Sequence, residues 1–379
     1  MRVTCQQEHL ARGLAVVGRA VATRSTLPVL SNILLETDDS QLKLSATNLE
    51  MGVSCWIGSR VEDPGAITVP ARLLSDFVNS LPVGAVEMEL EERSQTLHVR
   101  SDRFQAEIKG IDAADFPILP TVEQGTRFTL DPAGLREMIT QVTISAASDE
   151  SRPILTGILT QIDPDAGRLT LAAADGFRLS VREADLQAPL EGKINVIIPA
   201  RALTEVSRIA VDEEQPIEVA ITESRNQILF RLSHVHIVSQ LIDGNFPDYE
   251  RIIPARHTTR AVVNAKAMHG AVRIASFFAR DAANVVRLDL RPGGELEPGV
   301  VVVSAQAAEV GGNQGEIEAS IEGGGLEIAF NAKYLLDLLG VIGSDQIALE
   351  LTTPSSPGLF RPVGDAPFIH VIMPMHIGR

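Results

Sequence analysis

Val69-Pro70-Ala71-Arg72-Leu73-Leu74-Ser75-Asp76-Phe77 recurs as Ile198-Pro199-Ala200-Arg201-Ala202-Leu203-Thr204-Glu205-Val206, and again as Phe330-Asn331-Ala332-Lys333-Tyr334-Leu335-Leu336-Asp337-Leu338. Each copy reads apolar, Pro or Asn, Ala, basic, then an apolar helical pattern with an acid four residues after the basic side chain. The copies stand 129 and 132 residues apart. A fixed period of that size points to one structural unit used three times.

The flanks agree. Each copy opens with a short strand and an amphipathic helix: Arg2-Val3-Thr4 into 7–24, Arg127-Phe128-Thr129 into 132–147, and Arg260-Ala261-Val262 into 265–280. Alternating runs such as Asn32-Ile33-Leu34-Leu35-Glu36-Thr37 and Gly157-Ile158-Leu159-Thr160-Gln161-Ile162 read as half-buried strands. A second helix follows at 70–82, 199–210 and 331–340, and three more strands close each copy. The unit expected is strand, helix, three strands, helix, three strands. Ala114-Asp115-Phe116-Pro117-Ile118-Leu119-Pro120 and Gly244-Asn245-Phe246-Pro247-Asp248-Tyr249 carry the punctuation of linkers. Domains of 1–122, 123–253 and 254–379 follow. The glycine-rich Gly293-Gly294 and Gly311-Gly312-Asn313-Gln314-Gly315 stretches read as long loops, and Gly323-Gly324-Gly325 as a turn.

At 379 residues the chain is too long for one core and suits two or three domains. Aromatics make up only 4%, so the core must be aliphatic. Two cysteines, Cys5 and Cys55, make no disulfide framework and fit a reducing cytoplasm. No stretch approaches a membrane span, and a cytoplasmic soluble protein is expected.

The net charge is −16, yet its distribution is uneven. The six expected helices carry Arg12, Arg19, Arg24, Arg72, Arg136, Arg201, Arg208, Lys266, Arg273, Arg280 and Lys333 against Glu8, Asp76, Glu137, Glu205 and Asp337. Helices positive on a chain otherwise negative suggest one helical face meeting a polyanion through its phosphates, without base readout. Scarce aromatics argue for duplex rather than stacked single strands.

No nucleophile elbow, phosphate loop, zincin pair or dinucleotide fingerprint occurs. His234 and His236 form a possible metal pair without a third ligand nearby, which keeps a metal-dependent hydrolase as an alternative. A peptide-binding scaffold with no nucleic-acid role is another. No metal and no cofactor are expected.

The triplication, Asp115-Phe116-Pro117, Ala174-Asp175-Gly176-Phe177-Arg178-Leu179, Gly244-Asn245-Phe246-Pro247-Asp248-Tyr249 and the terminal Met373-Pro374-Met375 together resemble the bacterial DNA polymerase III beta subunit family, the sliding clamps. That resemblance implies an α+β fold of three repeated clamp domains, each with two helices packed on antiparallel sheets, closing as a homodimeric ring around double-stranded DNA without catalysis of its own. It implies a processivity role toward the replicative DNA polymerase. A clamp loader, repair polymerases, ligase and mismatch-repair proteins would be the further partners, through short linear peptides. Carried over by position, the peptide pocket comprises Leu155, Ala174, Gly176, Phe177, Arg178, Leu179, Pro247, Arg251, Ile252, Val371, Met373, Pro374, Met375, His376 and Ile377. Where Ala174, Phe177 and His376 stand, the family usually has Thr, His or Tyr, and often Arg. The ring interface maps to Ala106 and Ile108 against Phe277 and Phe278, and the helix cations named above, Arg280 aside, become the DNA-facing set.

Overall fold

In the first repeat, alternation sets the strands and 3.6-residue spacing sets the helices. They are β1 (Arg2–Gln6), α1 (Gln7–Val17), β2 (Asn32–Asp38), β3 (Gln41–Thr47), β4 (Met51–Asp63), β5 (Ala66–Pro70), α2 (Ala71–Ser80), β6 (Ala85–Glu91), β7 (Thr96–Ser101) and β8 (Phe104–Lys109). The second runs β9 (Thr126–Leu130), α3 (Pro132–Thr143), β10 (Gly157–Asp163), β11 (Arg168–Ala174), β12 (Arg178–Asp185), β13 (Ile194–Pro199), α4 (Ala200–Ile209), β14 (Ile217–Ile221), β15 (Gln227–Arg231) and β16 (Val235–Gln240). The third runs β17 (Thr259–Asn264), α5 (Ala265–Ala279), β18 (Val285–Arg291), β19 (Gly299–Ala307), β20 (Gly311–Gly323), β21 (Leu326–Asn331), α6 (Ala332–Val341), β22 (Gln346–Leu351), β23 (Gly358–Pro362) and β24 (Phe368–Ile372). This computed structural model describes the chain apart from residues 23, 122–124, 187–191, 295–296, 365 and 377–379. The boundary expected at 122/123 lies outside the described residues.

Among the described residues each repeat has four strands between its helices, not the expected three. The extra one is the lead-in to the second helix, whose backbone is paired from Asn32↔Pro70 to Glu36↔Ala66. Each repeat is in turn a doubled strand-helix-three-strand half. The first strand of one half pairs with the second strand of the other, β1 with β6 and β5 with β2. The third repeat does the same, β17 with β22 and β21 with β18.

The chain folds as two compact units. One comprises Met1–Arg136 with Arg201–Leu241, the other Glu137–Ala200 with Ile242–Arg379, so the central repeat contributes to both. In the first unit β4 continues the sheet into the central repeat through β16, from Met51↔Ser239 to Cys55↔Val235. In the second, β12 pairs with β24 from Arg178↔Ile372 to Arg182↔Phe368. Each unit thus rests on a 12-stranded antiparallel sheet.

Helices pack by their apolar stripes. Met268, Val272, Ala275 and Ala279 of α5 and Leu335, Leu338 and Leu339 of α6 are buried over the third repeat's sheet. Each such leucine contributes about 2 kcal/mol of burial. Phe330 and Phe360 meet edge to face at 5.5 Å in the same core. Both cysteines are buried, which pushes Cys5 up to about 12 and Cys55 to about 11.

Three local expectations change. The first helix ends at Val17 rather than 24, passing at Gly18–Ala20 into a 3-10 turn that buries Ala20. Arg19 therefore stands on that turn, Arg24 in the following exposed segment, and Arg280 caps α5 rather than continuing it. Gly311–Gly315 is not a loop but the first half of β20, because pairing with β19 runs unbroken from Ala307↔Gly311 to Gly299↔Ala319. Backbone pairing needs no side chains, so glycines do not prevent it.

Candidate functional site

In the second unit, a groove of about 790 Å³ opens beside the β11–β12 turn. Ala174, Gly176, Phe177, Arg178 and Leu179 form one wall, and Arg251 through Arg256 another. Thr352, Ser356, Pro357, Val371 and Met373 complete the lining. Leu179 is paired directly with Val371, so the strand junction itself makes the floor.

The turn is locked by Asp175. Its Oδ1 accepts the Phe177 and Arg178 amides at 2.8 and 3.0 Å, and its Oδ2 accepts Arg178 Nε at 3.0 Å. Gly176 has φ +94°, which any Cβ would strain. From the other side, Asp337 of α6 accepts Arg178 Nη1 at 2.7 Å, and the guanidinium stacks 4.3 Å from the Tyr334 ring. Burial and the Asp175 carboxylate raise the Tyr334 phenol. Two carboxylates and a ring thus hold one nearly buried arginine.

Behind the floor sits a buried polar chain. Ser180 Oγ lies 2.8 Å from both His370 Nδ1 and Ser145 Oγ, and His370 Nε2 has no partner. Burial, reinforced by the Arg178 charge, pushes His370 down to about 3. The unfolded chain takes that proton near pH 6.5, the folded chain not until about 3, so the unfolded state binds more protons between them. Stability is therefore expected to fall on acidification from about pH 6.5 toward 3, by up to about 1.4 kcal/mol per pH unit, with no contribution above that window. Denaturant midpoints between about pH 7 and 4 test this. His370→Gln should flatten the slope; an unchanged slope would clear His370 of it.

The sequence-based pocket set divides. Ala174, Gly176, Phe177, Arg178, Leu179, Arg251, Ile252, Val371 and Met373 come together in the groove. Leu155, Pro247, Pro374, Met375 and His376 do not line it. Leu155 is fixed in the 3-10 turn Pro153–Thr156, where its carbonyl accepts the Ala147 amide at 2.9 Å. Pro247 is exposed in the linker before buried Tyr249. The Met375 amide donates to Ala329 O at 2.8 Å, which draws Pro374, Met375 and exposed His376 along β21. Ile377 lies outside the described residues. Ile253–Arg256 and the β22–β23 turn were not in that set; only the contiguity of 253–256 with Arg251-Ile252 signalled them.

The first unit has a counterpart at its own repeat junction, of about 230 Å³, lined by Thr47, Leu49–Gly52, Pro117–Pro120 and Val238–Gln240. Gly52 pairs with Val238 there, as Leu179 does with Val371. The linker's Leu119 lies over Gly52 so closely that a Cβ would sit 2.6 Å from its Cδ2. The first junction is filled by its own chain; the second is open.

Of the helix cations, Arg12, Arg72, Arg201, Lys266, Arg273 and Lys333 are exposed, as is Arg24 beyond α1. Arg19 and Arg208 share Glu205 at 3.3 and 2.8 Å, and Arg136 donates to Val211 O at 3.3 Å. At the expected interface, Ala106 is half-buried on β8, but Ile108 is 2% exposed and belongs to the core. Phe277 is 55% exposed on α5, whereas Phe278 packs against the third repeat's core. His236 is half-buried against Trp56 at 4.5 Å, where burial lowers its pKa, and His234 stands exposed in the turn before β16. Among the described residues no three His, Cys, Asp or Glu side chains converge as metal ligands. No described helix is long and apolar enough to cross a membrane.

Two-helix, eight-strand repeats whose sheets run on from one repeat into the next define the sliding-clamp class of fold. The comparisons agree: the N-terminal, central and C-terminal domains of the DNA polymerase III beta subunit match residues 1–120, 129–248 and 250–376. The beta sliding clamp of Bacillus subtilis is 32% identical over 99% of both chains, and that of Synechocystis 33% over 100% of both. A crystal structure of the Bacillus subtilis DNA polymerase sliding clamp superposes with TM-score 0.92 at 31% identity over the full length of each chain. A Pseudomonas aeruginosa sliding clamp bound to griselimycin does so with 0.90 at 31%, again over both full chains. The chain belongs to the DNA polymerase III beta subunit family, the beta sliding clamps.

Proposed function

We propose that two copies close head to tail into a ring around duplex DNA and tether the replicative polymerase, with no chemistry of their own. The observation that carries this is a matched pair of open strand edges. The first repeat's counterpart of β16 and β24 is β8, which among the described strands pairs with β7 alone. Registers against β1 and β17 make Gly311–Gly315 the counterpart of Met51–Cys55. On the β17 side, no described strand pairs with that half of β20. Repeating the internal junction between copies puts Gly311 opposite Ile108 and Gly315 opposite Phe104, a heterologous contact whose rotation closes. An aromatic over a glycine is a favourable cross-strand pair. In this reading the repeats divide near 122 and 253, and the ring acts in the cytoplasm.

Contact with duplex DNA rests on the helices. Arg72, Arg201, Lys266 and Lys333 stand in first helical turns that hold no acid. The helix dipole disfavours cations there by about 0.3–1 kcal/mol each, yet the same amide-rich ends attract phosphate. Polymerase, clamp loader, repair polymerases, ligase and mismatch-repair proteins would then compete for the open groove as short apolar peptides, with Met373 adapting to each.

Topological tethering is tested on DNA. Loaded protein is expected to stay on nicked circles and leave linear duplex within the time of a gel-filtration run. Reversing Arg12, Arg72, Arg273 and Lys333 to Glu should cut loading at least tenfold. Equal retention on circles and linear duplex would end the ring reading, and loading untouched by charge reversal would end the helix-face reading.

A further inference from the structure

The groove wall holds three arginines, Arg178, Arg251 and Arg256, and no carboxylate. The chain as a whole has 49 acids to 33 bases, so this is a local reversal. Two of the three are already matched: Arg178 by Asp175 and Asp337, and Arg251 by Asp248 at 2.6 Å. Arg256 has no carboxylate partner among the described residues and is exposed at the rim. Its backbone is nonetheless held, since its carbonyl accepts Thr352 Oγ1 at 2.8 Å while Thr258 Oγ1 donates to Thr352 O at 2.8 Å. Pro254, two residues before it, stiffens the wall further.

A cation fixed at its base, beside an apolar floor of Leu179 and Val371, is complementary to an anion attached to apolar groups. We infer that the groove's occupant is an extended peptide whose apolar anchors sit on that floor and whose flanking Asp or Glu pairs with Arg256. A carboxylate suits the planar guanidinium fork, and a side chain next to the anchors brings it there without stretching the backbone. This rests on the groove being a peptide site, and adds the charge that peptides need to be preferred.

Four labelled peptides test it by fluorescence anisotropy at low salt. Each carries two Leu and one Phe; an Asp precedes the anchors in one and follows them in another, and each has an Asn twin. The better Asp peptide is expected to bind about three- to tenfold tighter than its twin. That ratio should shrink toward one in Arg256→Ala, and fall as salt rises. Equal binding of Asp and Asn twins to the unaltered protein would overturn the charge assignment while leaving the groove as a peptide site. Binding of none of the four would overturn both. Displacement of the Asp peptide by a single-stranded oligonucleotide, abolished by Arg256→Ala, would make the anion a phosphate and overturn it as well.

Discussion

Phe277→Asp is expected to halve the particle's mass in solution, from twice 40.7 kDa to 40.7 kDa, without unfolding the chain. Phe277 is 55% exposed in the single chain, so its removal opens no cavity there. It lies on α5, which packs along β20, the strand with the open edge. Phe104, 53% exposed, begins the other open edge. Large apolar side chains left in water beside unpaired strands are what a closing contact would cover. A head-to-tail ring of two copies has two such contacts, so one substitution acts twice. At about 2 kcal/mol per buried aromatic the ring loses about 4 kcal/mol, roughly a thousandfold in dissociation constant. Sedimentation at micromolar concentration reads the mass, and a thermal melt confirms that the monomer stays folded. A variant still at twice the chain mass would remove Phe277 from the interface.

Arg178→Ala is expected to be the most damaging single change near the groove. The guanidinium bridges Asp175 and Asp337, and its side chain is 9% exposed. Removing it strands two carboxylates, one of them well covered, and frees the turn that carries Phe177. Breaking a buried pair by deleting one partner costs about 3–5 kcal/mol, and the partial exposure of Asp337 places this case near about 3. Peptide binding should be lost along with that stability. Asp337→Asn keeps a hydrogen-bond acceptor and should cost about 1 kcal/mol, with the groove intact. Chemical denaturation of both variants, and of the double variant, measures the coupling. Additive effects in that cycle would mean the 2.7 Å contact does not organise the groove.

Much of this was legible in the chain because it depends on local order. The helix-initiating Ala-basic pattern and the alternating runs are short-range signals repeated three times, and repetition separates them from chance. Asp175-Gly176 is a dipeptide that tight hairpin turns favour, because a left-handed residue there calls for glycine. The missed strands were the lead-ins at Ala66–Pro70, Ile194–Pro199 and Leu326–Asn331, which run directly into the second helices. Gly311–Gly315 read as loop, since propensity records side chains while a strand ladder is made of backbone.

The site set shows the same division. Residues adjacent in sequence to a recognisable turn, Ala174 to Leu179, fell together in space, whereas Leu155 and Met375 did not join them. Leu155 is held by a backbone hydrogen bond with Ala147 across the α3–β10 connection, and Met375 by one with Ala329 in another strand, which no spacing announces. The resemblance places Arg178 in the pocket wall; only the arrival of α6 from the next repeat shows that Asp337 and Tyr334 hold it.

By itself the sequence determined the threefold unit, its two helices, the aliphatic core and the excess of cations on helices, because period and charge are properties of neighbours along a chain. Tertiary structure alone decided which junction is open and which is filled by Leu119, which of the groove's arginines lacks a carboxylate among the described residues, and which described strand edges remain unpaired. Those depend on what arrives from far along the chain to occupy a volume, a charge or a hydrogen bond, and long-range arrival leaves no local mark.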